Sequence, residues 1–489
     1  MNYTSIKNIL GKIMVLLAFL MFLPIIVCLC EDESERNLIS FLIPITLLFV
    51  IGKLLMVKKA ENNSLLPREG FIIVALSWII MSLFGCLPFI ISGEIPNFID
   101  AFFEITSGFT TTGSSILNDP SKLSKSMMFW RSFSHWIGGM GILVFILAII
   151  PESKDGSAMY ILRAESPGPQ VGKLVSKMRV TSRILYLIYV FLTVLQVLIL
   201  WLGPDAKMDF FNSLIYTFGT AGTGGLGVDV GSLETYTAYS QYVIAVFMLI
   251  FGINFSLFYL ILIGNFKEVF KNQEVKLYFI IVIISILIVF LNIYNNYATT
   301  EEAFRHAFFQ VSSIITTTGY STTNFADSSL FPSMAQMVLI FLMLFGACAG
   351  STGGGIKISR INILFRSILK KIKNMVSPRK VEVLIIDGNK TDEEMVNSVH
   401  TFLVVYMIVL FAVAFIISID GYDFTTNFSA SLACLSNIGP GLGKVGPYEN
   451  FNGFSYFSKF ILSLEMITGR LELFPMLILF SPKTWKKRV

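Results

Sequence analysis

Residues 101–113 read AFFEITSGFTTTG, and residues 307–319 read AFFQVSSIITTTG. The Ala, both Phe, the Ser at the seventh place and the closing TTTG coincide in segments far apart in the chain. Two weaker copies share the layout: NSLIYTFGTAGTG at 212–224 and NFSASLACLSNIG at 427–439. Aligned on Gly113, Gly224, Gly319 and Gly439, the copies are 111, 95 and 120 residues apart. That spacing is too uneven for a solenoid and suits four covalently joined pseudo-subunits. Each copy holds a short apolar segment of about nine residues, too short to span a bilayer, between two long apolar runs.

Composition says what surrounds these segments. The 489 residues are 54% hydrophobic and only 14% charged, with a mean hydropathy of +0.72. Soluble chains carry roughly 25% charged residues, so a soluble enzyme and a disordered chain are both excluded. An all-α polytopic membrane protein remains. Runs of spanning length lie near 8–30, 37–56, 70–93, 127–150, 184–203, 240–264, 277–298, 334–365, 396–419 and 456–480. The first is too long for a signal peptide, lacks a small-residue cleavage site and ends at Glu31, Asp32, Glu33 and Glu35, so it reads as a retained helix. With the N-terminus cytoplasmic, 28 of the 37 Lys and Arg fall on inside segments, eight outside, and Arg470 lies within a run. This bias puts both termini in the cytoplasm and makes the net charge of +5 topogenic, not a nucleic-acid signal. Cys28, Cys30, Cys86, Cys348 and Cys434 form no CxxC pair or metal spacing. His135, His306 and His400 are scattered, which suits structural roles.

All four short segments then fall on the outside. Non-helical backbone at membrane depth is tolerated only where protein buries it or water lines it. Four glycine-centred loops satisfy that around a shared axis. Glycine lets consecutive carbonyls point one way, and rings of carbonyls replace the hydration shell of a potassium ion. Helix C-termini aimed inward favour a cation there, and Thr112 and Thr318 offer further oxygens. The competing reading is close helix packing through small residues; four clusters on one side, each between paired spans, weigh against it.

Together, TSGFTTTG (106–113), HWIGGMGILV (135–144), ITTTGYSTTN (315–324), AGSTGGGIK (349–357), SNIGPGLG (436–443) and TGRLELFP (468–475) resemble the Trk/Ktr/HKT superfamily of potassium transporters, most closely its TrkH type. The resemblance implies four M1-P-M2 repeats around one pseudo-fourfold pore, preceded by two extra helices. On that scheme residues 1–66 are the leading helices, and 67–153, 154–270, 271–380 and 381–489 are the four repeats. It implies a filter at Thr111, Thr112, Gly113, Thr223, Gly224, Thr317, Thr318, Gly319, Asn437, Ile438 and Gly439, with potassium as the carried ion and rubidium-like ions accepted. A homodimer in the bacterial inner membrane, no bound cofactor and a cytosolic nucleotide-binding ring of TrkA type also follow from it. The second loop (Ala221-Gly222-Thr223) and the fourth (Asn437-Ile438) lack the TTTG run, which lowers the expected selectivity.

Gly346, Gly350, Gly353, Gly354 and Gly355 crowd ten residues, and each costs a helix about 1 kcal/mol relative to Ala, so the eighth run breaks there. A phosphate loop does not fit, because Gly355-Ile356-Lys357 lacks the Lys-Ser/Thr ending. A packing kink and a mobile intramembrane loop stay open; the resemblance favours a gate, with Ser351 and Thr352 facing the path. Arg470, costly at mid-membrane, either pairs with Glu465 or Glu472 or, as the resemblance implies, bars cation flow. Glu104 reads equally as a solvated residue or a cation attractor. The stretch 151–183, with Pro167, Gly168 and Pro169, reads as an interhelix linker, and 377–395 as a charged docking surface. The alternatives are a sodium-dependent KtrB-like or proton-coupled symport subunit, a membrane-embedded enzyme and a scaffold. An enzyme would need clustered His, Asp or Glu; a scaffold leaves the four loops unexplained.

Overall fold

The computed structural model describes residues 2–58, 66–141, 178–377 and 383–485. The end of the fourth run, most of the 151–183 linker, Pro378, Arg379 and the last basic residues lie outside them.

Helices α1 (Tyr3–Leu20), α2 (Phe22–Cys30) and α3 (Glu35–Leu55) form the leading pair of spans. α1 and α3 cross at Gly11 and Gly52, where a Cβ on either residue would lie within 3 Å of the other's carbonyl oxygen. Small residues permit that close approach. The first repeat follows as α4 (Pro67–Gly85), α5 (Leu87–Ser92), the short α6 (Phe98–Phe109) and α7 (Lys125–Gly139). The second is α8 (Met178–Trp201), the short α9 (Phe210–Gly222), α10 (Ala238–Phe251) and α11 (Phe255–Leu262). A surface turn, α12 (Phe266–Lys271), leads to the third: α13 (Gln273–Ile293), the short α14 (Thr300–Ile315), α15 (Ser333–Leu344) and α16 (Ile358–Val376). A two-stranded hairpin, β1 (Ile385–Ile386) against β2 (Asn389–Lys390), precedes the fourth. That repeat is α17 (Glu393–Ile417), the short α18 (Phe424–Ser436), α19 (Tyr456–Arg470) and α20 (Phe474–Phe480).

The short helices run 12, 13, 16 and 13 residues, not about nine. Each begins after a polar cap: Asn97, Asp209, Thr299 and Asp423 each accept a hydrogen bond from a first-turn N–H, the usual N-cap device. At 1.5 Å per residue they still fall short of a core about 30 Å thick.

Among the described residues six helices are long and apolar enough to cross a membrane, seven if α10 and α11, bent by 91°, count as one. Of the other three runs, one is described only in part, one breaks where its five glycines predict, and one has a break that the sequence reading did not expect. The run 127–150 is described only to residue 141. The run 334–365 is α15, a non-helical loop and α16. The run 456–480 is also broken, where Glu472 (φ 53°) and Leu473 (φ 72°) turn left-handed between α19 and α20. Apolar length therefore found the spans and the glycine cluster found one interruption, while the α10–α11 bend and the break between α19 and α20 were not legible.

Candidate functional site

Each short helix ends in the same turn. Thr111, Thr223, Thr317 and Asn437 adopt φ of 54°, 55°, 57° and 55°. The next N–H reaches back to a helix carbonyl: Thr112 to Ser107 (2.9 Å), Gly224 to Gly219 (2.8 Å), Thr318 to Ser313 (2.8 Å) and Ile438 to Ala433 (2.9 Å). This is a helix-ending motif with a left-handed residue. Left-handed backbone at a β-branched threonine costs on the order of 1–3 kcal/mol, so three threonines there mark a strained, over-determined place.

A glycine follows two residues later, at φ 85° for Gly113, 75° for Gly225, 85° for Gly319 and 100° for Gly439. The second repeat is thus displaced by one residue from the alignment on Gly224: Gly225 holds the glycine position, and Gly224 holds that of Thr112, Thr318 and Ile438. The GTGG doublet hid this register. A Cβ on Gly113 would lie 2.1 Å from the Gly224 carbonyl oxygen. One on Gly225 would lie 2.0 Å from that of Thr318, one on Gly319 1.9 Å from that of Ile438, and one on Gly439 2.8 Å from that of Thr112. Each turn touches the next and the fourth touches the first, so the ring closes with equivalent atoms.

His135 explains the departure at Gly224. A Cβ there would fall 2.2 Å from its Nδ1, so the imidazole occupies the space a threonine side chain takes elsewhere. Its Nε2 accepts from the Leu226 N–H (3.3 Å), which leaves Nδ1 protonated and donating to the Gly108 carbonyl (2.7 Å). The neutral ring thereby ties the first short helix to the second turn. Asn437 makes the other departure: its amide donates to the Thr112 hydroxyl (2.9 Å) and the Met466 carbonyl (2.9 Å). The hydroxyls of Thr112 and Thr318 also pair with Thr110 (2.7 Å) and Thr316 (2.8 Å); these bonds brace the turns. The glycines of the HWIGG segment have a packing cause: a Cβ on Gly138 would meet the Phe109 carbonyl oxygen at 1.9 Å.

Above the ring a cavity is lined by Gly113, Gly225, Gly319 and Gly439, with Asp229 and Glu449 at its wall. Below it the glycine loop closes on itself through a bridge between Phe345 and Ile356 and touches every repeat. Gly354 N–H donates to the Thr317 hydroxyl (2.6 Å), and its Cβ position abuts the Ser436 carbonyl. Cys348 N–H donates to the Gly252 carbonyl (3.0 Å) at the α10–α11 bend. The hydroxyls of Ser351 and Thr352 are turned onto carbonyls of Cys348 (2.6 Å) and Phe251 (3.4 Å). Arg470, at the end of α19, donates to the carbonyls of Thr352 (2.8 Å), Gly138 and Gly139 (2.8 Å). It therefore joins the loop to the first repeat, while Glu472 binds Arg360 and Glu465 accepts from Ser431 (2.6 Å).

Three further residues escaped the sequence reading. Buried Glu274 accepts, on one oxygen, the N–H groups of Ala349 (2.7 Å) and Ser359 (3.0 Å), pinning the loop interior to the start of α16. Lys357 and Arg360, counted among the inside charges, are 6% and 4% exposed; Lys357 donates to the Gly353 carbonyl. Glu104 is neither solvated nor facing the path: it is fully buried against Arg131, at 2.6 Å. Among the described residues no group of His, Cys, Asp or Glu has the arrangement of a metal site.

A polytopic helical protein whose four short helices end in matching turns that meet in a closed ring has the architecture of a pore-loop membrane protein. The model of the TrkH family, described as a cation transport protein, matches residues 38–487, and the chain belongs to that family. It is 34% identical to the Trk system potassium uptake protein TrkH of Escherichia coli K12, over the whole of both chains. It is 30% identical to the Trk system potassium uptake protein TrkG of the same organism, over 98% of each. The crystal structure of the potassium transporter TrkH from Vibrio parahaemolyticus superposes with a TM-score of 0.88 at 30% identity, covering 99% of this chain and 100% of that one.

Proposed function

We propose that the chain carries potassium into the cell across the inner membrane, through one pore per chain. The ion sheds water at the ring and is held by carbonyls of Thr112, Gly224, Thr318 and Ile438 and of the glycines that follow them. The glycine loop 346–355 and Arg470 close the path below. Both termini are cytoplasmic, the chain works as a homodimer, and a cytosolic nucleotide-binding ring similar to TrkA opens it. The observation that supports this reading best is the closed ring of turns, because its oxygens are peptide oxygens held by strained backbone. The membrane potential drives entry by about 2.3 kcal/mol per charge per 100 mV. The names of the relatives, all potassium uptake proteins, agree with the ion.

The test is rubidium and sodium uptake into liposomes holding this chain, alone and with a TrkA-type ring. Rubidium entry in preference to sodium, raised by the ring, supports the reading. Equal entry of both ions, or no entry in either condition, rejects it.

A further inference from the structure

Behind the outer end of the ring lies a buried charge pair that the sequence left undecided. The Arg131 Nε donates to Glu104 Oε1 (2.6 Å), and the side chains are 2% and 0% exposed. Among the described residues, every other side-chain bond of the pair runs to the segment leaving a turn. Glu104 Oε2 accepts from the Ile116 N–H (2.9 Å), and the Ser115 hydroxyl reaches both its oxygens (3.0 and 3.1 Å). Arg131 donates to the Gly227 carbonyl in the second repeat (2.9 Å) and to the Ser115 hydroxyl in the first (3.3 Å). Arg131 also lines the cavity above the ring. The same place in the third repeat, read from AFFQ, is Gln310, which carries no charge.

We propose that Glu104 and Arg131 are positioning residues for ion selection: they lock the first and second turns together, and Glu104 cancels a positive charge that would otherwise repel entering cations. This rests on the conduction reading above. Two consequences separate. Breaking a buried pair by removing one partner leaves an uncompensated charge, which weakens cation entry. Losing the guanidinium fork frees Gly227 from Ser115, because lysine cannot reproduce bidentate geometry, and that blurs ion discrimination.

The experiment measures, in liposomes holding the full chain, the rubidium concentration at half-maximal uptake and the rubidium-to-sodium ratio. Gly113→Ser serves as the control for the ring itself. Glu104→Gln is expected to raise half-saturation about tenfold and lower the ratio. Arg131→Lys should lower the ratio with half-saturation unmoved. Glu104→Gln with Arg131→Met should restore half-saturation but not the ratio. If Glu104→Gln fails to fold, Ser115→Ala, which removes only the shared hydroxyl, should lower the ratio about threefold. Variants matching the unsubstituted chain while Gly113→Ser loses selectivity overturn the pair's role and spare the ring. A Gly113→Ser chain with unchanged selectivity overturns the ring reading, and this inference with it.

Discussion

Compare the ring with the layer beneath it. In the ring four turns repeat one geometry, with left-handed residues at φ 54–57° and glycines at φ 75–100°. Beneath it, among the described residues, only the third repeat sends in a glycine loop, and the fourth supplies Arg470. The ring is made of main chain: its four turns touch through equivalent carbonyl oxygens, and side chains such as His135 and Asn437 brace them from outside. The lower layer is asymmetric, held by Arg470 on three carbonyls, by Glu274 on two N–H groups and by the Cys348 N–H on Gly252. On the function proposed above, the ring selects and the layer beneath it opens.

That contrast can be broken from above with the largest effect. Gly113→Ser or Gly319→Ser forces a Cβ to about 2 Å from a neighbouring carbonyl oxygen, so that oxygen must leave the ring. The rubidium-to-sodium uptake ratio should fall by tenfold or more; an unchanged ratio would return the turns to mere packing. Gly225→Ser should do the same, since its φ is that of the other three.

Next comes Arg470. A like charge at about 8 Å and an effective dielectric of about 20 meets roughly 2 kcal/mol. Arg470→Ala should raise rubidium flux without a partner about thirtyfold, with the ion ratio unchanged. A shift in ratio with no gain in flux would put Arg470 in selection, against the division drawn here. Glu274 sharpens the point, because it holds the loop from outside the path. Glu274→Gln keeps the acceptor but loses its charge, and ligand-free flux should rise about threefold. Flux at the unsubstituted level would show that the loop is held without it.

The smallest effect lies in the loop between α8 and α9. Burial opposes charge on Asp205, but bonds from the Ser240 hydroxyl, the Thr237 N–H and hydroxyl, and the Lys207 N–H prevail. They hold its carboxyl below the usual carboxylate range. The resulting stability is complete above the unfolded pKa of about 3.9 and is lost as pH falls through the folded value. Asp205→Asn should therefore flatten the acid side of the thermal-stability profile and leave the ion ratio alone. A melting profile as steep as that of the unsubstituted chain would count against it.

Much of this was legible in the chain. TTTG twice and two fainter echoes placed the turns, and five glycines in ten residues placed the break between α15 and α16. The register of the second turn was not legible, because two consecutive glycines satisfy the same pattern and only φ separates Gly224 from Gly225. The break after Arg470 was equally hidden. Glu472 and Leu473 are not residues that announce left-handed backbone; Glu472 is bonded to Arg360 of the third repeat, and Leu473 is buried.

The order of residues alone determined that this chain lives in a bilayer, crosses it many times and dips four glycine turns part-way in. These follow from hydropathy and from local backbone preference, which act over a few neighbours. Only the tertiary structure decided that Glu104 meets Arg131, that His135 fills the place of a missing side chain, and that Glu274 and Arg470 grip the loop. Each joins residues from different helices, where burial strengthens a charge contact and makes an unmet one costly, and no local pattern in a sequence encodes which distant partner will be there.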